Sequence, residues 1–315
     1  MSERNATGPA DRTAVLLMGY GSPRGPDDLR EYLADVLHRP PSDAMVEEYR
    51  RRYALIGGSP QRRILDSLRA KLARRFAGAG SGLPVYLGTK HGTPNVAEVV
   101  PTIVRDGFDR VVAIPLSPYA STWILEPYRS GLDRGRAASP RPPTIDLRTG
   151  WHLDPSFVGY WSGAIRSELA HDADPSTVVL LSAHSLPERY ARMGDPYPGI
   201  LAETSNAIAR TAALPRWKFT YQSAGNTTEP WLGPDITERI DEAKAAGAST
   251  VLVASFGFVF DHLEVLYDLD IVIRQFAEGR GVRYRRVPTP NDADELVEAL
   301  VHVADRTSAP PAHAG

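Results

Sequence analysis

Two segments carry the side chains best suited to chemistry. Val178-Val-Leu-Leu-Ser-Ala-His-Ser-Leu-Pro187 is an aliphatic run that ends in His184. About eighty residues later, Gly257-Phe-Val-Phe-Asp-His-Leu-Glu-Val-Leu-Tyr-Asp-Leu-Asp270 follows a second such run. Each begins as a buried parallel strand would, and each ends in polar groups where that strand would leave its sheet. Ligands of open α/β sheets bind outside the carboxyl ends of the strands. An imidazole and a carboxylate from two strand ends could therefore face one crevice, an arrangement suited to metal handling or proton transfer.

Within the second segment Glu264 and Asp268 are four residues apart. A helix over 261–276 would stack them on one face, and carboxylates in so apolar a stretch are costly unless used. His262 would point elsewhere and is read as structural. His184 has a plain reading too, as a satisfied structural histidine. Ser182 and Ser185 flank it, but no Gly-x-Ser-x-Gly elbow marks a serine hydrolase. Gly19-Tyr-Gly-Ser-Pro-Arg-Gly25 nearly matches a dinucleotide fingerprint, with its third glycine one residue late. The acid that should close the second strand is replaced by Gly88-Thr-Lys-His91, which disfavours a nicotinamide enzyme. Tyr20 still sits where a ligand-facing side chain would sit. The aromatic loops 194–197 and 221–235 either line an apolar cleft or simply pack down.

Positioning these groups requires strands, and eight segments read as such: 14–19, 85–90, 110–116, 144–148, 177–183, 218–222, 250–255 and 282–287. Amphipathic helical stretches at 27–37, 61–76, 95–104 and 155–169 lie between them. Alternating strands and helices predict α/β architecture: two similar Rossmann-like, doubly wound domains, each with a four-stranded parallel sheet. The expected division is 13–148 and 149–306, with the boundary near Ser139-Pro-Arg-Pro-Pro143 and disordered ends at 1–12 and 307–315. A net charge of −2 argues against a nucleic-acid binder. No apolar run is long enough to span a membrane, and the polar N-terminus lacks a signal-peptide core, so a cytoplasmic protein is expected. With no cysteine, thiolate metal sites and iron–sulfur clusters are excluded, and any metal must be held by His, carboxylate, Tyr or main-chain oxygen.

As a set, several segments resemble the ferrochelatase family, most closely the soluble bacterial coproporphyrin III branch. They are Tyr20-Gly-Ser-Pro23, Tyr53-Ala-Leu-Ile-Gly-Gly-Ser-Pro60, Ser182-Ala-His-Ser-Leu-Pro187, Gly194-Asp-Pro-Tyr197, Tyr221-Gln-Ser223, Pro230-Trp-Leu-Gly-Pro234 and Asp261-His-Leu-Glu-Val-Leu-Tyr-Asp268. The resemblance runs from about Val15 to about Ala304. It implies a chelatase-like pair of domains with a porphyrin cleft between them, and insertion of ferrous iron, a substrate, with loss of two pyrrole protons. No prosthetic group is implied, and the partners are the porphyrin and Fe2+, on a chain expected to be monomeric. His184 and Glu264 match the metal and proton site, with Asp268 a possible outer acid. Tyr20 matches the opposite-face tyrosine that can ligate product iron, and Arg52, Tyr53, Ser59 and Tyr128 match porphyrin-contacting positions.

Four positions depart from the family pattern: Val272 where the line of acids would continue, Arg39 alone in its loop, Ser59 directly after the glycine pair, and Phe260 before Asp261. They leave open a chelatase paralogue for another metal or tetrapyrrole. A tetrapyrrole carrier without turnover is the alternative of a different class, although a carrier needs neither His184 nor Glu264 as a base.

Overall fold

The computed structural model describes residues 12–225 and 227–306, so the ends expected to be disordered lie outside the described residues apart from Arg12. Four strands, β1 (Thr13–Gly19), β2 (Val85–Thr89), β3 (Arg110–Pro115) and β4 (Thr144–Leu147), form one sheet. Four more, β5 (Val178–His184), β6 (Trp217–Gln222), β7 (Thr250–Ala254) and β8 (Arg283–Arg286), form a second. The orders are β2-β1-β3-β4 and β6-β5-β7-β8, and every pairing is parallel. The two halves thus share one topology, the duplication that the strand–helix alternation implied. In each, the chain reverses direction across the sheet beside its first strand, so β1 and β5 end at equivalent switch points. The central strands are aliphatic throughout because both of their faces are covered: Ala14 to Met18 and Val251 to Ala254 are fully buried.

The helices of the first half are α1 (Leu29–Leu37), α2 (Asp43–Leu55), α3 (Gln61–Gly78), α4 (Val96–Arg105) and α5 (Thr122–Ala137). Those of the second are α6 (Pro155–His171), α7 (Glu188–Arg192), α8 (Tyr197–Ala212), α9 (Ile236–Ala245), α10 (Leu263–Leu266), α11 (Arg274–Glu278) and α12 (Asp294–Asp305). Between α10 and α11 the chain winds as a π-helix over Asp268–Ile273. One buried cluster joins Val15 and Leu17 of β1 and Leu68 and Leu72 of α3 to Leu181 of β5, with Trp151 and Trp161 at its centre. Helix α12 returns to the first half, where Glu298 pairs with Arg75 of α3 at 2.6 Å. Tyr119, beyond β3, donates from its hydroxyl to the Phe256 carbonyl beyond β7 at 2.5 Å, so the exits of the two sheets are tied directly together.

Three local readings are corrected. The helix expected from Asp27 begins at Leu29, because the Asp28 carboxylate turns back to accept from the Arg24 and Gly25 N–H groups at 3.0 Å. Helix α2, absent from the sequence reading, opens with Ser42 accepting from Met45 N at 3.2 Å. The single helix expected over 261–276 is broken into α10, the π-turn and α11. Its start is displaced because His262 caps α10, its Nδ1 accepting from Glu264 N at 3.2 Å. The π-turn opens where the Tyr267 carbonyl accepts from Ile271 N at 3.2 Å and from Val272 N at 3.0 Å.

Candidate active site

His184 is the last residue of β5, and its edge toward Glu264 is open: Nε2 stands 3.5 Å from Glu264 Oε1. Its Nδ1 faces the Ser185 carbonyl, which fixes the tautomer with Nδ1 protonated and leaves Nε2 to accept. The Tyr197 hydroxyl donates to the His184 carbonyl at 3.0 Å, and the Phe258 ring meets the imidazole edge-on at 6.1 Å. A close approach of backbone makes this possible. A Cβ on Gly257 would lie 2.5 Å from Ala183 Cα, so only glycine lets the chain leaving β7 press against the end of β5.

Burial lowers the affinity of His184 for a proton, but the charge and hydrogen bond of Glu264, the Ser185 carbonyl and the Asp268 charge together outweigh it, and the imidazole is held above its ordinary value. Burial raises Glu264, and the charge and hydrogen bond of His184 overcome that and bring the carboxyl down to about 2. The two shifts share one cause: each group favours the charged form of the other. With 44% of its side chain accessible, Glu264 looks into open space rather than into the core. Asp268 differs. Burial and the Glu264 charge push it up to about 6, against a hydrogen bond of 2.8 Å from Ser223 Oγ. Ser223 keeps a left-handed φ of 57° to aim that hydroxyl.

The opposite wall comes from the first half and consists of phenols. Tyr20 follows β1 and is 44% exposed, with its ring edge-to-face with His91 at 5.0 Å and Lys90 Nζ 5.1 Å from the ring centroid. Burial is the main cause that raises the Tyr20, Tyr32, Tyr49 and Tyr53 hydroxyls, and on each the Glu264 charge adds to it. The Glu264 charge is thus felt by four tyrosine hydroxyls of the first half. Tyr32 donates to the Gly21 carbonyl at 3.2 Å, which stiffens the wall.

The other expected site residues sit at graded distances from this gap. Arg52, on α2, gives its Nε to Glu48 at 2.8 Å and lies 5.0 Å from the ring centroid of Tyr267, leaving both Nη groups free of partners among the described residues. Tyr53 and Ser59 line one recess with Arg24 and Arg50. Tyr128 is only 4% exposed and backs Tyr20 from within the first core instead of lining the gap. Val272, where another acid would have continued the line, is exposed at 43%. Among the described residues, no three His, Asp or Glu side chains cluster closely enough to cage a metal ion. His184 and Glu264 present one nitrogen and one oxygen donor side by side. Sequence reading missed Tyr32, Tyr49 and Ser223. Tyr32 rides on the expected first helix but on a face with no chemical mark, Tyr49 on a helix the sequence did not disclose, and Ser223 acts through a backbone conformation that carries no sequence mark.

The near-fingerprint glycines have another explanation. Gly21 has φ +103°, and a Cβ there would fall 2.0 Å from the His91 carbonyl. Gly21 is therefore required by the close approach of the His91 backbone.

Paired, wholly parallel four-stranded domains with a histidine and an acid at the exits of β5 and β7 define a chelatase-type protein. Solved structures agree on the fold. The sirohydrochlorin chelatase SirB from Bacillus subtilis subspecies spizizenii superposes with a TM-score of 0.55 over 94% of this chain and 95% of its own, at 12% identity. CbiX, described as the terminal enzyme of siroheme biosynthesis in denitrifying bacteria, gives 0.54 over 93% and 100%, at 15% identity. Sequence relationship narrows the class: the ferrochelatase family profile matches residues 12–308. A coproporphyrin III ferrochelatase of Anoxybacillus flavithermus is 38% identical over 92% of this chain and 94% of its own. A ferrochelatase of Herpetosiphon aurantiacus is 36% identical over 92% and 97%. The chain belongs to the ferrochelatase family, lyases that insert ferrous iron, their substrate, into a porphyrin. It has no cysteine with which to bind an iron–sulfur cluster.

Proposed function

We propose that the porphyrin is coproporphyrin III and that it lies between the tyrosine wall and the His184–Glu264 pair. The observation that carries this reading is the pair itself, 3.5 Å apart and facing four phenols whose hydroxyls feel the Glu264 charge. The net reaction exchanges one Fe2+ for two pyrrole N–H protons. Unprotonated His184 Nε2 and the Glu264 carboxylate first hold the ion; two ligands of borderline and hard character bind it weakly enough to release it. As iron passes to the ring nitrogens, the freed imidazole takes a pyrrole proton, helped by the same Glu264 charge that raises its affinity. Asp268, titrating near neutral pH, passes protons from the pair toward solvent and is then reset for the second.

On the other face Tyr20 is the phenol placed to meet the product iron. Its ionisation is opposed by burial and by Glu264, so the bond to iron must supply the drive for losing that proton. Coproporphyrin III carries four propionates. The free Nη groups of Arg52 and the recess of Arg24, Arg50, Tyr53 and Ser59 offer fork-shaped and hydroxyl donors for them. The curated relatives that carry the coproporphyrin name, at 33–38% identity, favour this ring over one with two propionates. We further propose a cytoplasmic monomer. Among the described residues no helix is long and apolar enough to cross a membrane, and sedimentation analysis measures the oligomeric state.

Anaerobic insertion of ferrous iron, followed by absorbance with coproporphyrin III and protoporphyrin IX in parallel, tests the assignment. Faster turnover of coproporphyrin III is expected. Equal or faster turnover of protoporphyrin IX refutes the ring assignment, and binding without insertion of iron refutes the roles given to His184 and Glu264.

A further inference from the structure

Glu264 and Asp268 stand on backbone that cannot hold its own shape. Helix α10 has four residues, whereas isolated helices shorter than roughly 12 residues are marginal in water. The π-turn that follows is a rare form, seen mostly as single turns at functional sites. Something outside the segment must fix it. We infer that Arg286 is a positioning residue whose guanidinium ties the two ends of the Asp261–Asp270 segment and so sets where Glu264 stands against His184. This rests on the proposed role of Glu264.

The geometry is specific. Arg286 is the last residue of β8, a rigid strand of the second sheet. Its Nε and Nη2 meet Asp270 Oδ1 and Oδ2, both at 2.8 Å, the two-point fork that only a planar guanidinium provides. Its Nη1 lies 3.4 Å from Asp261 Oδ1. Asp270 is two residues past Asp268 and Asp261 three before Glu264, so one side chain spans the acid-bearing turn. The Asp261 end is fixed further: its carboxylate accepts from Thr289 Oγ1 at 2.8 Å and from Asn291 Nδ2 at 3.0 Å, while its N–H donates to Asn291 Oδ1 at 2.8 Å. The Arg286 side chain is 11% exposed; besides the two ends of the segment it meets only the neighbouring Val287 carbonyl, at 3.2 Å, among the described residues, so its influence on the reaction is indirect.

The test separates position from stability. Replacing a buried ion pair by apolar side chains of similar size is often neutral for stability, whereas removing one partner is not. Arg286→Met should therefore lower the melting temperature and turnover together. The pair Arg286→Met with Asp270→Leu should recover the melting temperature yet keep kcat at least about tenfold down, with the KM for coproporphyrin III within about twofold of wild type. Arg286→Lys keeps the charge without the fork; it should fold and restore part of the lost kcat. Wild-type kcat in a stably folded double variant overturns the inference, as does a loss expressed wholly in the porphyrin KM. If the double variant does not fold, wild-type kcat in Arg286→Lys overturns it instead. Glu264→Gln is the control: full rate there removes the role of Glu264, whereas a slow Glu264→Gln beside fully active Arg286 variants removes only the clamp.

Discussion

β1 and β5 hold the same place in their sheets, yet β1 leads into a phenol, Tyr20, and β5 ends in an imidazole, His184. The contrast continues at the neighbouring strands. Beyond β3 the chain turns to Tyr119, wholly buried and spent on tying the halves together; beyond β7 it turns to Glu264, open to the gap. One topology used twice has thus been given two chemistries, an uncharged aromatic wall and a charged wall. A flat aromatic ring suits the first. An ion that must shed ligands, and protons that must leave, need the second. The two walls should therefore fail differently when altered.

The largest effect is expected at His184. His184→Ala removes both the proposed borderline ligand and the base, so iron insertion should fall by about 100-fold or more, the usual scale for a general base. Porphyrin binding, read from the absorbance shift on titration, should stay within about threefold of wild type, because the tyrosine wall and the arginines are untouched. A variant that loses binding and turnover together would erase the division between the walls.

Glu264→Gln probes the same wall through its pH dependence. Iron and the pyrrole proton both need His184 unprotonated, so activity falls as pH drops through the pKa of the imidazole. Glu264 supplies the largest of the causes that hold that value above the ordinary one of about 6.5, and without its charge the lowering effect of burial is opposed by less. The acid limb of kcat against pH should therefore move to lower pH in Glu264→Gln, while the plateau falls about tenfold or more. An acid limb that stays in place would mean that another group sets it.

The walls also differ in how far sequence disclosed them. His184 was legible because an aliphatic strand ending in a polar group has few plain explanations, and Glu264 because a carboxylate amid Leu263, Val265 and Leu266 is costly. The spacing around Glu264 was not legible. A repeat of four fits an α-helix, and nothing in Tyr267-Asp-Leu-Asp-Ile announces that one carbonyl will accept from residues four and five ahead. The tyrosine wall was half visible. Tyr20 and Tyr53 emerged through the family resemblance, but Tyr128 lies behind the wall, and Tyr32 and Tyr49 become neighbours only when α1 and α2 fold against each other. Contacts between helices depend on packing that no local pattern records.

Tyr20→Phe should separate the walls most visibly. Removing the hydroxyl takes away the ligand for product iron but leaves the charged pair and the aromatic face, so the insertion rate should change by no more than about threefold. The absorption spectrum of the bound product, oxidised to the ferric state with ferricyanide after turnover, should lose its phenolate-to-iron charge-transfer band. A spectrum unchanged in Tyr20→Phe would place the fifth ligand elsewhere, and a collapse of the rate would give the aromatic wall a share of the chemistry.

Asp268 should give the smallest effect and one of opposite sign for stability. Its carboxyl binds a proton more readily in the folded chain, at about 6, than in the unfolded one, near 3.8. Folding is therefore favoured by its protonated form, and that stability is progressively lost as pH rises between those values, with the full cost felt above 6. Asp268→Asn keeps an acceptor for the Ser223 hydroxyl and removes the buried charge. It should raise stability at pH 8 by on the order of 1 kcal/mol, a figure discounted for solvent screening, and leave it nearly unchanged at pH 4. Denaturant unfolding at the two pH values measures both. Turnover should fall only a few-fold, because His184 and Glu264 remain and water can carry protons at a lower rate. Equal stabilisation at pH 4 and pH 8 would show that the gain comes from packing. The charged wall would then hold its outer acid at no electrostatic cost, and Asp268 would lose its claim to pass protons near neutral pH.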